Sequence, residues 1–102
     1  MYYKLDENKN VVPCSLEEWA KQRKEMERTH TKHVAEDIID GKRISTVWLG
    51  IDHNVYEKSP HVFETMIFNN IDSYVESYCN RYSTYKEALE GHKEAIEWVK
   101  NK

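Results

Sequence analysis

Asp52, His53 and Asn54 stand side by side, with Tyr56, His61 and Glu64 close behind them. An imidazole beside a carboxylate is the usual pair for general acid and base catalysis, and two histidines with a carboxylate could hold a metal ion. The same tripeptide is also good turn chemistry, because Asp and Asn side chains bond the backbone two residues on and tolerate left-handed dihedrals. Three uses therefore compete: a structural turn, a loop that contacts a partner, or a hydrolytic or metal-assisted site built from Asp52, His53, His61 and Glu64. The turn is the simplest of the three.

The segments that must hold these residues are two apolar runs, ISTVWLGI (44–51) and HVFETMIF (61–68). In the first, Ile44, Thr46 and Trp48 fall on one face of a strand, while Val47, Leu49 and Ile51 fall on the other. Apolar residues on both sides predict central strands covered on both faces, with the Asp52–His61 connection at their ends. Glu64 interrupts the second run. A buried carboxylate needs a partner, for which His53, Arg43 and His92 are available; otherwise Glu64 sits near an edge with its head in water. A Glu64–His92 pair orienting a pocket is the sharper reading. His92 lies on the stripe Tyr85, Ala88, Leu89, His92, Ala95, Ile96, Val99, which points at a sheet. A neutral ring there is expected to bond Thr46, Thr65 or Glu64.

The remaining segments complete the frame. YYKLD and VVPC around Glu7–Asn10 predict an N-terminal hairpin whose second strand Pro13 confines to an edge. Ser15 and Glu18 have capping-box spacing at the head of a helix running to about Thr29. Its narrow apolar face is Leu16, Trp19, Ala20 and Met26, with Arg23 lending its aliphatic stem. HVAEDII and KRISTVWLGI flank Asp40-Gly41, the dipeptide of a tight primed turn, and Tyr74–Tyr82 reads as a last strand. Thr84 and Glu87 repeat the capping-box spacing before the final helix, in which Gly91 predicts close approach of another element. The fold expected is α+β in one domain, 1–102. Its element order is β-β-α-β-β-β-β-α: an antiparallel sheet of four or five strands with both helices mainly on one face.

Charge and composition narrow the function. A net charge of −3 over 102 residues leaves no general attraction for phosphate backbones; His30, Lys32, His33, Lys42 and Arg43 are the only basic cluster, so nucleic acid is disfavoured. Gly41, Gly50 and Gly91 form no phosphate-binding loop. Cys14 and Cys79 are far apart and lack metal-cage spacing, so free thiols and no metal or other cofactor are expected. The opening residues lack the pattern of a signal peptide, and no apolar run approaches the roughly 20 residues that span a bilayer, which predicts a cytoplasmic protein without membrane contact. The tyrosines Tyr2, Tyr3, Tyr56, Tyr74, Tyr78, Tyr82 and Tyr85 outnumber Phe; such residues serve core and rim packing or a protein interface.

In their order, ISTVWLGIDHN, FETMIF and RYSTYKEALEGH resemble a family of small proteins encoded in bacteriophage genomes and prophages, over about residues 43–96. The opening YYKLDENKNVVPCSLEEWA is similar to that family's as well. The loop departs: Val55-Tyr56-Glu57-Lys58-Ser59-Pro60 stands where relatives carry a Gly/Pro-rich segment. The resemblance implies a phage setting in a bacterial cytosol and no particular reaction. With the missing catalytic signature, it leads to a non-enzymatic binding protein that inhibits or sequesters a host component, a defence effector being one class. The surface expected is Asp52, His53, Asn54, Tyr56, His61, Tyr74, Tyr78 and Tyr82, a host protein is the expected partner, and homodimerisation through an exposed strand could accompany it. Two alternatives stay open. One is the His/carboxylate enzyme above; the other is a small-molecule or nucleotide sponge with a pocket between the last helix and the sheet, lined by His92, Trp48 and Arg43.

Overall fold

The computed structural model describes residues 1–52, 60–69 and 75–101. Its elements are β1 (Tyr2–Leu5), β2 (Val11–Cys14), α1 (Leu16–Thr29), β3 (His33–Ile39), β4 (Lys42–Trp48), β5 (Phe63–Asn69), β6 (Val75–Tyr82) and α2 (Tyr85–Lys100). This is the α+β order the sequence predicts. The strands form two antiparallel sheets, β1-β2 and β3-β4-β5-β6, so β4 and β5 are the central pair. No helix among the described residues is long and apolar enough to cross a membrane.

Local chemistry accounts for most boundaries. Asp40 and Gly41 both take positive φ, 50° and 76°, and the pair Ile39 and Lys42 closes the two-residue turn between β3 and β4. Ser15 and Glu18 form the full capping box of α1. At α2, the Thr84 hydroxyl accepts from the Glu87 N–H at 3.1 Å and donates to the Glu87 carboxylate at 3.0 Å.

The N-terminal hairpin does not extend the large sheet. Gly50 at φ 72° turns the chain just after β4, and Tyr2 bridges to Ile51 while the Tyr3 N–H donates to the Gly50 carbonyl at 2.8 Å. A Cβ at Gly50 would come within 2.6 Å of Trp19 Nε1 and 3.0 Å of the Tyr3 carbonyl, so only glycine fits. Polar clasps dock α1 on this junction. Trp19 Nε1 donates to the Leu49 carbonyl, the Arg23 guanidinium to the Trp48 carbonyl, and the Gln22 amide both donates to and accepts from the Leu5 backbone. Arg23 thus does more than lend its stem; its head holds the end of β4. The narrow apolar face of α1 buries only Met26 fully, while Leu16 stays 54% exposed.

The core lies between α2 and one face of the large sheet. On that face Ile44 opposes Ile67, Thr46 opposes Thr65 and Trp48 opposes Phe63, all nearly or wholly buried. Ala88, Gly91, His92, Ala95 and Val99 of α2 meet them. Gly91 is where the tyrosine ring of Tyr82 lies against the helix, because a Cβ there would overlap the phenol. The buried stripe excludes Leu89, which is 39% exposed, and leaves Ile96 at the rim.

One expectation fails. Val47, Met66 and Phe68 on the opposite face are only half-buried, although Ser45 among them is 5% exposed, so among the described residues that face is the more open of the two. Apolar residues on both faces of β4 and β5 do not require a second layer. Long neighbours such as Arg43, lying over the Phe68 ring at 4.5 Å, supply part of the cover.

Candidate functional site

On the roofed face the sheet and α2 assemble a line of polar groups. His92 Nε2 lies 2.8 Å from an Asp37 carboxylate oxygen, His92 Nδ1 lies 2.7 Å from Thr46 Oγ1, and Thr46 Oγ1 lies 2.5 Å from Thr65 Oγ1. An ionised carboxylate only accepts, so Nε2–H donates to Asp37. A neutral ring then accepts at Nδ1 from Thr46, which in turn accepts from Thr65. Every group in the line is satisfied in one direction. The order acid, imidazole, hydroxyl is that of a nucleophilic triad. Thr46 is 0% exposed, however, and no substrate carbonyl can reach it. The line is a structural clamp that fixes α2 on β3, β4 and β5.

The structure disperses the other residues singled out by sequence. Asp52 is buried, and its carboxylate accepts the His61 backbone N–H at 2.7 Å. His53, Asn54, Tyr56 and Tyr74 lie outside the described residues. Glu64 pairs with Arg81 at 2.9 Å and not with His92, which corrects the expected pair. The reason is register: Glu64 opposes Val47 and Arg81 on the open face, whereas Thr65 next to it faces α2. Tyr78 stacks on Trp98 with ring centroids 5.1 Å apart. The Tyr82 hydroxyl is buried and its ring lies against Gly91 of α2. No three His, Cys, Asp or Glu side chains converge as a metal site among the described residues. Arg43 lies on the open face and His92 and Trp48 on the roofed one, so they cannot line a common pocket.

Among the described residues, the open face of the large sheet is accessible. Val47, Met66 and Phe68 form its apolar centre, and a shallow groove of about 180 Å³ runs among them, Arg43, Ser45 and Lys32. Ile38, on the edge strand β3 opposite Arg43, extends the apolar area and is 62% exposed. Charges ring this centre in pairs: Arg81 with Glu64, and Arg43 and His33 with Glu36 at 3.7 and 3.2 Å. The Glu64 carboxylate holds the Arg81 guanidinium pKa above its ordinary value, and burial raises that of the neighbouring Cys79 thiol.

No protein-family model, curated protein or solved structure matches the chain. The open face was hidden from sequence reasoning because Val47, Met66 and Phe68 read as a second buried side. The signal lay in their neighbours: Arg43, Ser45 and Glu64 alternate with them at period two on the same face. A mixed face of that kind is what a sheet shows to solvent or to a partner.

Proposed function

We propose that this protein is a non-enzymatic binder that masks or sequesters a host protein, in line with its resemblance to phage-encoded chains, and that the open face of the β3-β4-β5-β6 sheet is its contact surface. One observation carries the reading. The fold buries the hydroxyls of Thr46 and Thr65 and the His92 ring, leaving only the Asp37 carboxylate at the surface, while the opposite sheet face presents an apolar centre with a charged rim. That is the anatomy of a protein interface, in which the core supplies affinity and the rim orientation. Lys32, Arg43 and Arg81 exceed Glu36 and Glu64 there, so a partner with a mildly acidic rim around an apolar patch complements it. A host antiviral component with such a patch is the class of target that the phage resemblance supports.

The test compares affinity capture from bacterial lysate by the native chain and by the Ile38→Glu/Met66→Glu variant. Both sites are at least partly exposed, so the variant should melt as the native chain does. A dominant protein held by the native chain, lost by the variant and bound again when purified, supports the reading. Equal capture by both chains, or capture of nothing, overturns it.

A further inference from the structure

Away from the sheet face, the β1-β2 hairpin and the start of α2 enclose an open cleft of about 940 Å³. Its floor is apolar: Tyr3, Val11 and Pro13 from the hairpin face Tyr85 and Leu89 from the helix. Leu89 belongs by spacing to the core stripe of α2, yet it is 39% exposed and lines this cleft. Each wall carries one lysine, Lys9 on the hairpin turn and Lys86 on the helix, beside the hydrogen-bonding side chains of Asn8, Asn10, Ser83 and Thr84. No carboxylate is among the described residues that line it, in a chain whose net charge is −3. Two nearby acids are bonded to residues of the cleft rim. Asp6 accepts the backbone N–H groups of Asn8 and Asn10 at 2.9 and 2.8 Å, and Glu87 takes the Thr84 hydroxyl.

We infer that this cleft is a second docking site, which receives a short acidic segment of a partner protein with an apolar side chain between its carboxylates. The apolar residue enters between Tyr85, Leu89 and Val11, and the flanking carboxylates meet Lys9 on one wall and Lys86 on the other. The N-terminal end of the α2 dipole favours the same sign of charge. The cleft's openness suits an extended peptide better than an enclosed small ligand, since both ends of a chain must leave it. The site is separate from the sheet face, and the two readings fail separately.

Fluorescence anisotropy with a labelled short peptide bearing glutamates on both sides of one Leu tests it, together with amide chemical shifts of the protein. The expected result is binding that weakens as salt screens the lysines, with shifts centred on Tyr3, Tyr85 and Leu89. Lys9→Glu/Lys86→Glu should weaken it by about tenfold or more, at unchanged melting temperature, because both side chains are exposed. The Ile38→Glu/Met66→Glu variant should bind this peptide as the native chain does. The proposal is overturned if a peptide with lysines in place of the glutamates binds equally, or if the lysine variant binds unchanged. It is also overturned if inorganic phosphate alone displaces the peptide at millimolar concentration, which would make the cleft a small-anion site, or if shifts fall on the sheet face.

Discussion

The two faces of the large sheet are built from the same strands and share the same alternation, yet one is closed and the other open. On the closed face, Ile44, Thr46, Trp48, Phe63, Thr65 and Ile67 are nearly or wholly inaccessible beneath α2. On the open face, Val47, Met66 and Phe68 are half-buried. The lesson is that chemistry by residue type and chemistry by access part company here. The side with the catalytic-looking groups buries its hydroxyls and imidazole and brings only the Asp37 carboxylate to solvent, and the side without them is the more accessible.

A matched pair of truncations measures that difference most directly. Phe63→Ala empties a fully buried site and should cost about 3–5 kcal/mol in urea unfolding, whereas Phe68→Ala on the open face should cost about 1 kcal/mol. Equal losses would mean that both faces are closed. A smaller effect is expected from Thr46→Val, which leaves His92 Nδ1 and the Thr65 hydroxyl unpaired in the interior, at about 1–3 kcal/mol. A neutral result would show that the polar line does not hold α2 in place.

Tyr82 sharpens the comparison through pH. Burial pushes its phenol pKa above the ordinary value near 10, so the folded state holds that proton more tightly than the unfolded state does. The associated stability is fully present below the ordinary value and is lost as pH rises through the raised one. Tyr82→Phe should flatten the alkaline decline in melting temperature, because it removes the only titrating group at that position. An unchanged alkaline limb would place the sensitivity elsewhere. The smallest effect belongs to Glu18, whose carboxyl is held below its ordinary range first by the hydrogen bond from Lys4 and then by the Ser15 N–H. Its contribution is present above that range and lost as pH falls through the lowered value. Glu18→Gln should therefore remove an acid-linked loosening of α1, read as faster amide exchange in α1 while the large sheet stays protected.

Elements and their limits were legible wherever one segment contains its own cause. The Asp40-Gly41 turn needs only two residues that accept positive φ, the Ser15–Glu18 box only four consecutive residues, and the α2 stripe only its own spacing. Gly91 could be read as a close approach because a glycine inside a helix has no other local reason, although the ring it admits, Tyr82, could not be named. His92 was legible as a core residue bonded to a strand threonine. Its acid partner was not, because Asp37 lies in β3 and the two meet only when α2 crosses the sheet.

The amino-acid order by itself determined the element sequence, the turns, the caps and the central position of β4 and β5, since each of these follows from backbone preference and short-range periodicity. Only the tertiary structure decided which apolar side of those strands is closed, which way Glu64 turns, and that the N-terminal hairpin stands apart with a cleft beside α2. The physical reason is that burial is a property of pairs of surfaces. A strand carries two faces of similar hydrophobicity, and α2 packs on only one of them.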